Sequence, residues 1–203
     1  YLESLNITPL LRRKGRELSK GQRRRVQMAA GFMIQPRLFA FDEPFDGLDI
    51  LQSNQLAELL ARESSQISIL LSSHRMDVVE RLADTIVVLF EGHIHCVGNL
   101  ESVCRSLCRE SILITHLGDS LDHSVLHVLR DEFPGALVNH FGTQYAVSGN
   151  TLDHLRIEET LARAGIRDFH LTRTTPSLVD AMNFHLKSSG IVWLEDAPRS
   201  TES

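Results

Sequence analysis

The 203-residue chain predicts an α/β fold built on a parallel sheet and followed by a smaller α+β unit. Three observations carry that expectation. Short continuous apolar runs alternate with segments of helical spacing over the first hundred residues. Two adjacent acids close the first apolar run, where open α/β sheets bind their ligands. Beyond Ser111 the order changes to β-α-β-β-α-β, the split unit of ferredoxin-like domains.

Residues 1–17 carry a short apolar pattern and the basic run "RRKGR", read as a helix and then a loop. A helix is predicted from Lys20 to Ile34, stopped by Pro36 because the residue before a proline is pushed out of helical geometry. "RLFAF" (37–41) reads as a strand buried on both faces. Residues 50–63 have helical spacing, 67–73 form a second buried strand, and 75–83 form a helix. "TIVVLF", the turn "EG" and "HIHCV" predict a hairpin over 85–97, followed by a connecting helix at 99–109. The second unit then reads as strand "ILITHL", helix 120–133, strand "ALVNHF", strand "TQYAVSG", helix 151–165 and strand "IRDFHLTR". A last helix covers 176–186. The remainder, 187–203, is polar apart from "IVWL" and is expected to be a mobile tail.

Composition bounds the function classes. Hydrophobic residues make up 42% and charged residues 23%, as in ordinary globular proteins. A net charge of −5 gives the whole molecule no reason to coat nucleic acid or an anionic membrane. No apolar stretch approaches the ~18 residues that span a bilayer. Three cysteines, an odd number, point to a reducing compartment rather than a disulfide framework.

Chemistry concentrates between Leu18 and His74. Ser19-x-x-Gln22 fits a capping box, in which the serine oxygen accepts from the third helical N–H while the glutamine reaches back. One reading is only a well-made helix start. The other is an anion site, because free N–H groups and the helix dipole suit a phosphate, with Gly21 permitting close approach and Lys20 adding a charge. Asp42 and Glu43 are either solvent-facing acids at a strand end or a catalytic pair. In the catalytic reading Asp42 organises Mg²⁺ through water and Glu43 polarises the attacking water. His74 closes the next strand, placed to reach a terminal phosphate.

Taken together, these pieces resemble a known family. "LSKGQ" (18–22) resembles the signature motif of ATP-binding-cassette (ABC) ATPases, "FDEP" (41–44) the end of their Walker B strand, "GLD" (47–49) their D-loop, and His74 their switch histidine. All four stand in the family's order and spacing. Lys20 departs from the commonest glycine and is familiar in the export-type branch. The resemblance implies that residues 1–108 are the C-terminal half of a P-loop (RecA-like) ABC nucleotide-binding domain. It also likens 109–186, ending in "TPSLVDAM", to the small C-terminal domain of export-type ATPases with separate membrane subunits.

The resemblance further implies ATP and Mg²⁺ as ligands, sandwiched between two copies of the ATPase or close paralogues. Ser19, Lys20, Gly21 and Gln22 would serve the partner's ATP, and Asp49 would lie at the dimer seam. Asp42 (metal), Glu43 and His74 (catalysis) would serve the chain's own nucleotide. Integral membrane permease subunits are the implied partners, on the cytoplasmic face of the membrane. No G-x-x-x-x-G-K-[ST] phosphate loop occurs: Lys14, Lys20 and Lys187 are the only lysines, and none follows a glycine. With a first residue of Tyr1, the chain is therefore expected to be a fragment lacking that loop, and inactive alone.

Alternatives stay open at this level. An ABC-type ATPase acting on DNA or ribosomes would carry coiled-coil arms or a second cassette, and a non-catalytic module would use the C-terminal unit for regulation or dimerisation. The basic run Arg12–Arg25 reads as a solvated face rather than a nucleic-acid or lipid contact. "HIHC" and the pair Cys104, Cys108 lack a closed four-ligand set for zinc.

Overall fold

A computed structural model describes residues 1–116 and 123–190. It divides into two compact units, Tyr1–Leu82 and a second beginning at Ala83.

The first unit begins with two single 3-10 turns, Thr8–Leu10 and Gly15–Glu17. The helix expected in residues 1–17 is thus reduced to turns: Pro9 cannot donate an N–H to a continuing helix, and Gly15 is a poor helix former. Leu5, Ile7 and Leu10 are buried nonetheless. Helix α1 (Lys20–Met33) buries Gly21, Arg25, Met28, Ala29 and Phe32, one face at helical spacing. Strand β1 (Leu38–Asp42) follows, then α2 (Ile50–Glu63), β2 (Ser68–Ser72) and α3 (Met76–Leu82).

Strands β1 and β2 pair in parallel, Leu38 opposite Ser68 through to Asp42 opposite Ser72. Their inward residues Phe39, Phe41, Ile69 and Leu71 pack on a core of Met28, Phe32, Phe45, Leu56, Leu60 and Val78. The expectation of strands buried on both faces is corrected here. With only two strands in this sheet, the outer face is bare, and Leu38 and Leu70 are 60% and 61% exposed.

In the second unit β3 (Ile86–Phe90) and β4 (His93–Gly98) form the predicted antiparallel hairpin, with a register shift at Val88/Leu89. Asn99 then caps α4 (Leu100–Leu107) through a bond from the Ser102 N–H. The remaining elements are β5 (Glu110–His116), α5 (His123–Glu132), β6 (Leu137–Phe141), β7 (Gln144–Gly149), α6 (His154–Arg163), β8 (Phe169–Thr174) and α7 (Leu178–Ser188). Their sheet is antiparallel with the order β6-β7-β5-β8, the ferredoxin-like arrangement that the element order predicted. By packing, the hairpin and α4 group with this unit, whereas the functional division expected from the sequence lies at 108/109. The first two residues assigned to the tail, Lys187 and Ser188, complete α7. The start of the helix expected from 120 and the apolar "IVWL" lie outside the described residues.

One core of the second unit joins Ile112, Ile114, Tyr145 and Val147 of the sheet to Val125, Leu129, Ile157 and Leu161 of α5 and α6. Buried polar groups tie α7 to the sheet. Asn139 Nδ2 donates to Asp180 Oδ1 at 2.6 Å, and the Ser177 hydroxyl donates to Asp180 Oδ2 at 2.8 Å. Burial pushes the Cys108 thiol up to about 11, while its Sγ contacts the Glu110 and Gly149 carbonyls. Cys104 and Cys108 are buried thiols packed in the fold.

Asp180→Ala leaves the half-buried Asn139 amide without its acceptor, and is expected to cost about 1–3 kcal/mol. Urea unfolding followed by circular dichroism would show the lowered midpoint. The exposed Glu158→Gln should stay within about 0.5 kcal/mol of the parent.

Candidate functional site

The end of the parallel pair builds the site. Because Asp42 and Ser72 are opposite one another, both strands finish on a polar side chain at the same level. The Ser72 hydroxyl donates to Asp42 Oδ1 at 2.5 Å. Glu43 follows in a left-handed backbone conformation (φ +47°), rare for a non-glycine residue and costly unless its surroundings enforce it. Its N–H, bonded to both the carbonyl (3.1 Å) and the hydroxyl (3.2 Å) of Ser72, supplies that enforcement.

The Glu43 side chain meets His74. Oε1 accepts from the His74 backbone N–H at 3.0 Å, and Oε2 lies 2.9 Å from His74 Nδ1. Oε2 is buried and has no aligned hydrogen-bond donor. The close approach to Nδ1 is therefore an electrostatic contact, attractive when the imidazole is protonated. Of the residues predicted at the two strand ends, Glu43 meets His74, while Asp42 beside it bonds Ser72. Asp42 keeps its second carboxylate oxygen uncommitted. Among the described residues no group of three or more His, Cys, Asp or Glu side chains converges on one point. This donor set fits an ion held largely by water and phosphate oxygens, as Mg²⁺ usually is, rather than an all-protein cage.

The start of α1 forms the second part. Ser19 Oγ accepts from the Gln22 N–H (3.2 Å) and Gln22 Oε1 accepts from the Ser19 N–H (3.0 Å), the predicted capping box. The Lys20 and Gly21 N–H groups have no acceptor among the described residues, so they remain available to an anion. Lys20 turns its ammonium to Asp46 Oδ2 at 2.7 Å. This hydrogen bond, reinforced by charge, holds the Asp46 carboxyl below the usual carboxylate range. The tie is present above the ordinary Asp pKa and lost as pH falls through the lowered one.

Three further contacts, none visible in the sequence, lock α1 to the loop after β1. Arg24 Nη1 donates to the Glu43 carbonyl and, at 3.3 Å, to that of Asp46. Gly21 faces Gly47 so closely that a Cβ would sit 2.6 Å from the Gly47 oxygen. Gly47 itself takes φ +76°. Arg25 is buried and donates to the Leu5 carbonyl at 3.1 Å. The reading of the whole basic run as a solvated face is corrected at Arg24 and Arg25, whose positions on α1 turn them inward. Asp49 caps α2, with Oδ1 accepting from the Gln52 N–H at 2.8 Å and Oδ2 from its side-chain amide at 2.7 Å. The serine before "SH" was the one sequence signal for Ser72, since it ends its strand as Asp42 ends the other.

Gly21→Ala is expected to destabilise the first unit by about 1–3 kcal/mol through overpacking. Asp49→Ala should cost about 1 kcal/mol through the lost cap. Denaturant midpoints of the two variants would check both values.

No family model matches the chain. It is 37% identical over 122 residues to an uncharacterized ABC transporter ATP-binding protein, YhaQ, of Bacillus subtilis, covering 60% of this chain and 41% of that protein. It is 32% identical over 189 residues to the molybdenum import ATP-binding protein ModC 1 of Azotobacter vinelandii, covering 88% of this chain and 52% of that protein. A solved ATP binding subunit of an ABC transporter is 31% identical, with a TM-score of 0.48 over 51% of this chain and 44% of that one. The chain spans about half the length of the curated relatives it matches. Among the described residues no helix is long and apolar enough to cross a membrane. Similarity along most of its length to such proteins places this chain among the ATP-binding proteins of ABC transporters.

Proposed function

We propose that the complete protein is the ATP-hydrolysing subunit of an ABC transporter, working as a dimer with separate integral membrane subunits on the cytoplasmic face. The convergence of Asp42, Glu43, Ser72 and His74 at the carboxyl end of the parallel strands is the observation that supports it most.

In this reading Glu43 is the general base. The His74 N–H fixes Oε1 and so orients the carboxylate that polarises the attacking water. The His74 imidazole is exposed and is free to donate toward a terminal phosphate. Asp42, oriented by Ser72, would hold Mg²⁺ through water; when bound, that ion supplies charge neutralisation for the phosphates. Ser19, Gly21 and Gln22, with the N–H groups of α1, face the nucleotide of the partner copy, and Lys20 adds positive charge there. Asp49 sits at the dimer seam while capping α2. The division into an ATPase part (1–108), an accessory domain (109–186) and a tail belongs to the same proposal. Nucleic acid is not an expected partner.

Export is the direction suggested by Lys20 and by the second unit. Import is the second reading, favoured by relatives named as molybdenum import proteins. In either direction ATP hydrolysis uses the same residues.

In the complete protein, Glu43→Gln should retain ATP binding and ATP-dependent dimerisation, read by gel filtration, while phosphate release falls at least about 100-fold. Wild-type turnover in that variant would refute Glu43 as the base. The 203-residue chain alone, without a phosphate loop, is expected to release no phosphate from ATP. Turnover by it that Glu43→Gln abolished would overturn this expectation.

A further inference from the structure

The second unit carries a cleft of about 640 Å³ lined by Arg105, Arg109, Glu110, Arg173, Thr174 and Thr175. None of these residues belongs to the site described above. The three guanidiniums arrive from three elements: the last turn of α4, the link into β5, and the end of β8. Their meeting follows from the sheet. Strands β5 and β8 are antiparallel neighbours with Ser111 opposite Thr174 and Ile112 opposite Arg173, so the start of one lies beside the end of the other.

Charge is incompletely matched there. Arg105 Nη2 lies 2.9 Å from Glu101 Oε1, but both side chains are more than 60% exposed, and such surface pairs hold weakly. Arg173 Nε is 3.4 Å from Glu110 Oε2. That carboxylate also serves the fold, since its Oε1 accepts from the Leu152 N–H at 2.8 Å. The Arg109 guanidinium has no acceptor among the described residues; only its backbone N–H is bonded, to Asn150 Oδ1 at 3.2 Å. Three arginines and one carboxylate thus line the cleft, with two threonines beside them.

We propose that this cleft binds a small, multiply charged phosphate-bearing anion. Guanidinium forks match phosphate oxygens in paired geometry. A tetrahedral phosphate presents oxygens in several directions, which suits donors converging from three elements, whereas a planar carboxylate is satisfied by one fork. The volume lies within the range of small-molecule sites and exceeds what a single phosphate fills. The site is independent of the ATPase reading and stands or falls separately from it.

Titration calorimetry of the 203-residue chain with inorganic pyrophosphate, at low ionic strength and without added metal, tests the proposal. Saturable one-to-one binding is expected, weakened about tenfold or more in Arg109→Ala and in Arg173→Ala, and unchanged in Arg167→Ala, an exposed arginine of the same unit outside the cleft. Arg109 is exposed with an unbonded side chain, so circular dichroism of Arg109→Ala should match the parent. Citrate should bind at least about tenfold more weakly than pyrophosphate. No saturable binding, binding undiminished in both Arg109→Ala and Arg173→Ala, or an equal loss in Arg167→Ala would overturn the proposal. Citrate binding as tightly as pyrophosphate would overturn the phosphate assignment.

Discussion

The register of two short parallel strands governs the candidate site. With Asp42 opposite Ser72, the serine hydroxyl orients the aspartate, and the Glu43 N–H carries the ladder one residue beyond the strand. Register in a sheet is held by the side of the pleat that is buried, since a slip of one residue would turn each side chain to the other face. Here Phe39, Phe41, Ile69 and Leu71 hold it against α1 and α2. The Glu43 carboxylate is thus positioned by packing within the strands that precede it, including the stacked Phe39–Phe41 pair with ring centroids 4.0 Å apart.

The same loop is gripped from the opposite side. Arg24 reaches its carbonyls, Lys20 its Asp46, and Gly21 lies against Gly47. Under the proposed mechanism, the helix start faces one nucleotide and Glu43 another. The two would then be parts of one stiff block rather than two loops joined by chance. Asp49, two residues beyond Gly47, spends both carboxylate oxygens on Gln52 and so fixes where α2 begins.

Much of this was legible in the sequence wherever one residue type has one local solution. Ser19 and Gln22 at capping-box spacing formed that box, the acids after an apolar run ended a parallel strand, and the element order after Ser111 produced the 6-7-5-8 sheet. What escaped was set by tertiary contacts. The left-handed backbone at Glu43 has no signature in a non-glycine residue. Three consecutive arginines, Arg23 to Arg25, look alike until the helix turns two of them inward. The apolar start of the chain was helix-like in pattern, yet Pro9 and Gly15 left only turns. The strands looked doubly buried because their runs are continuous, but burial on the second face depends on a neighbour that periodicity does not name.

That bare face has a physical consequence for the molecule in solution. Leu38 and Leu70 lie on the same face of the parallel pair, two residues apart in register, with the exposed Ala40 opposite Leu70. Unpaired strand edges next to apolar side chains template further strand addition. This exposed apolar face is therefore a surface through which the 203-residue chain can self-associate, separate from the polar strand end that carries Asp42 and Ser72.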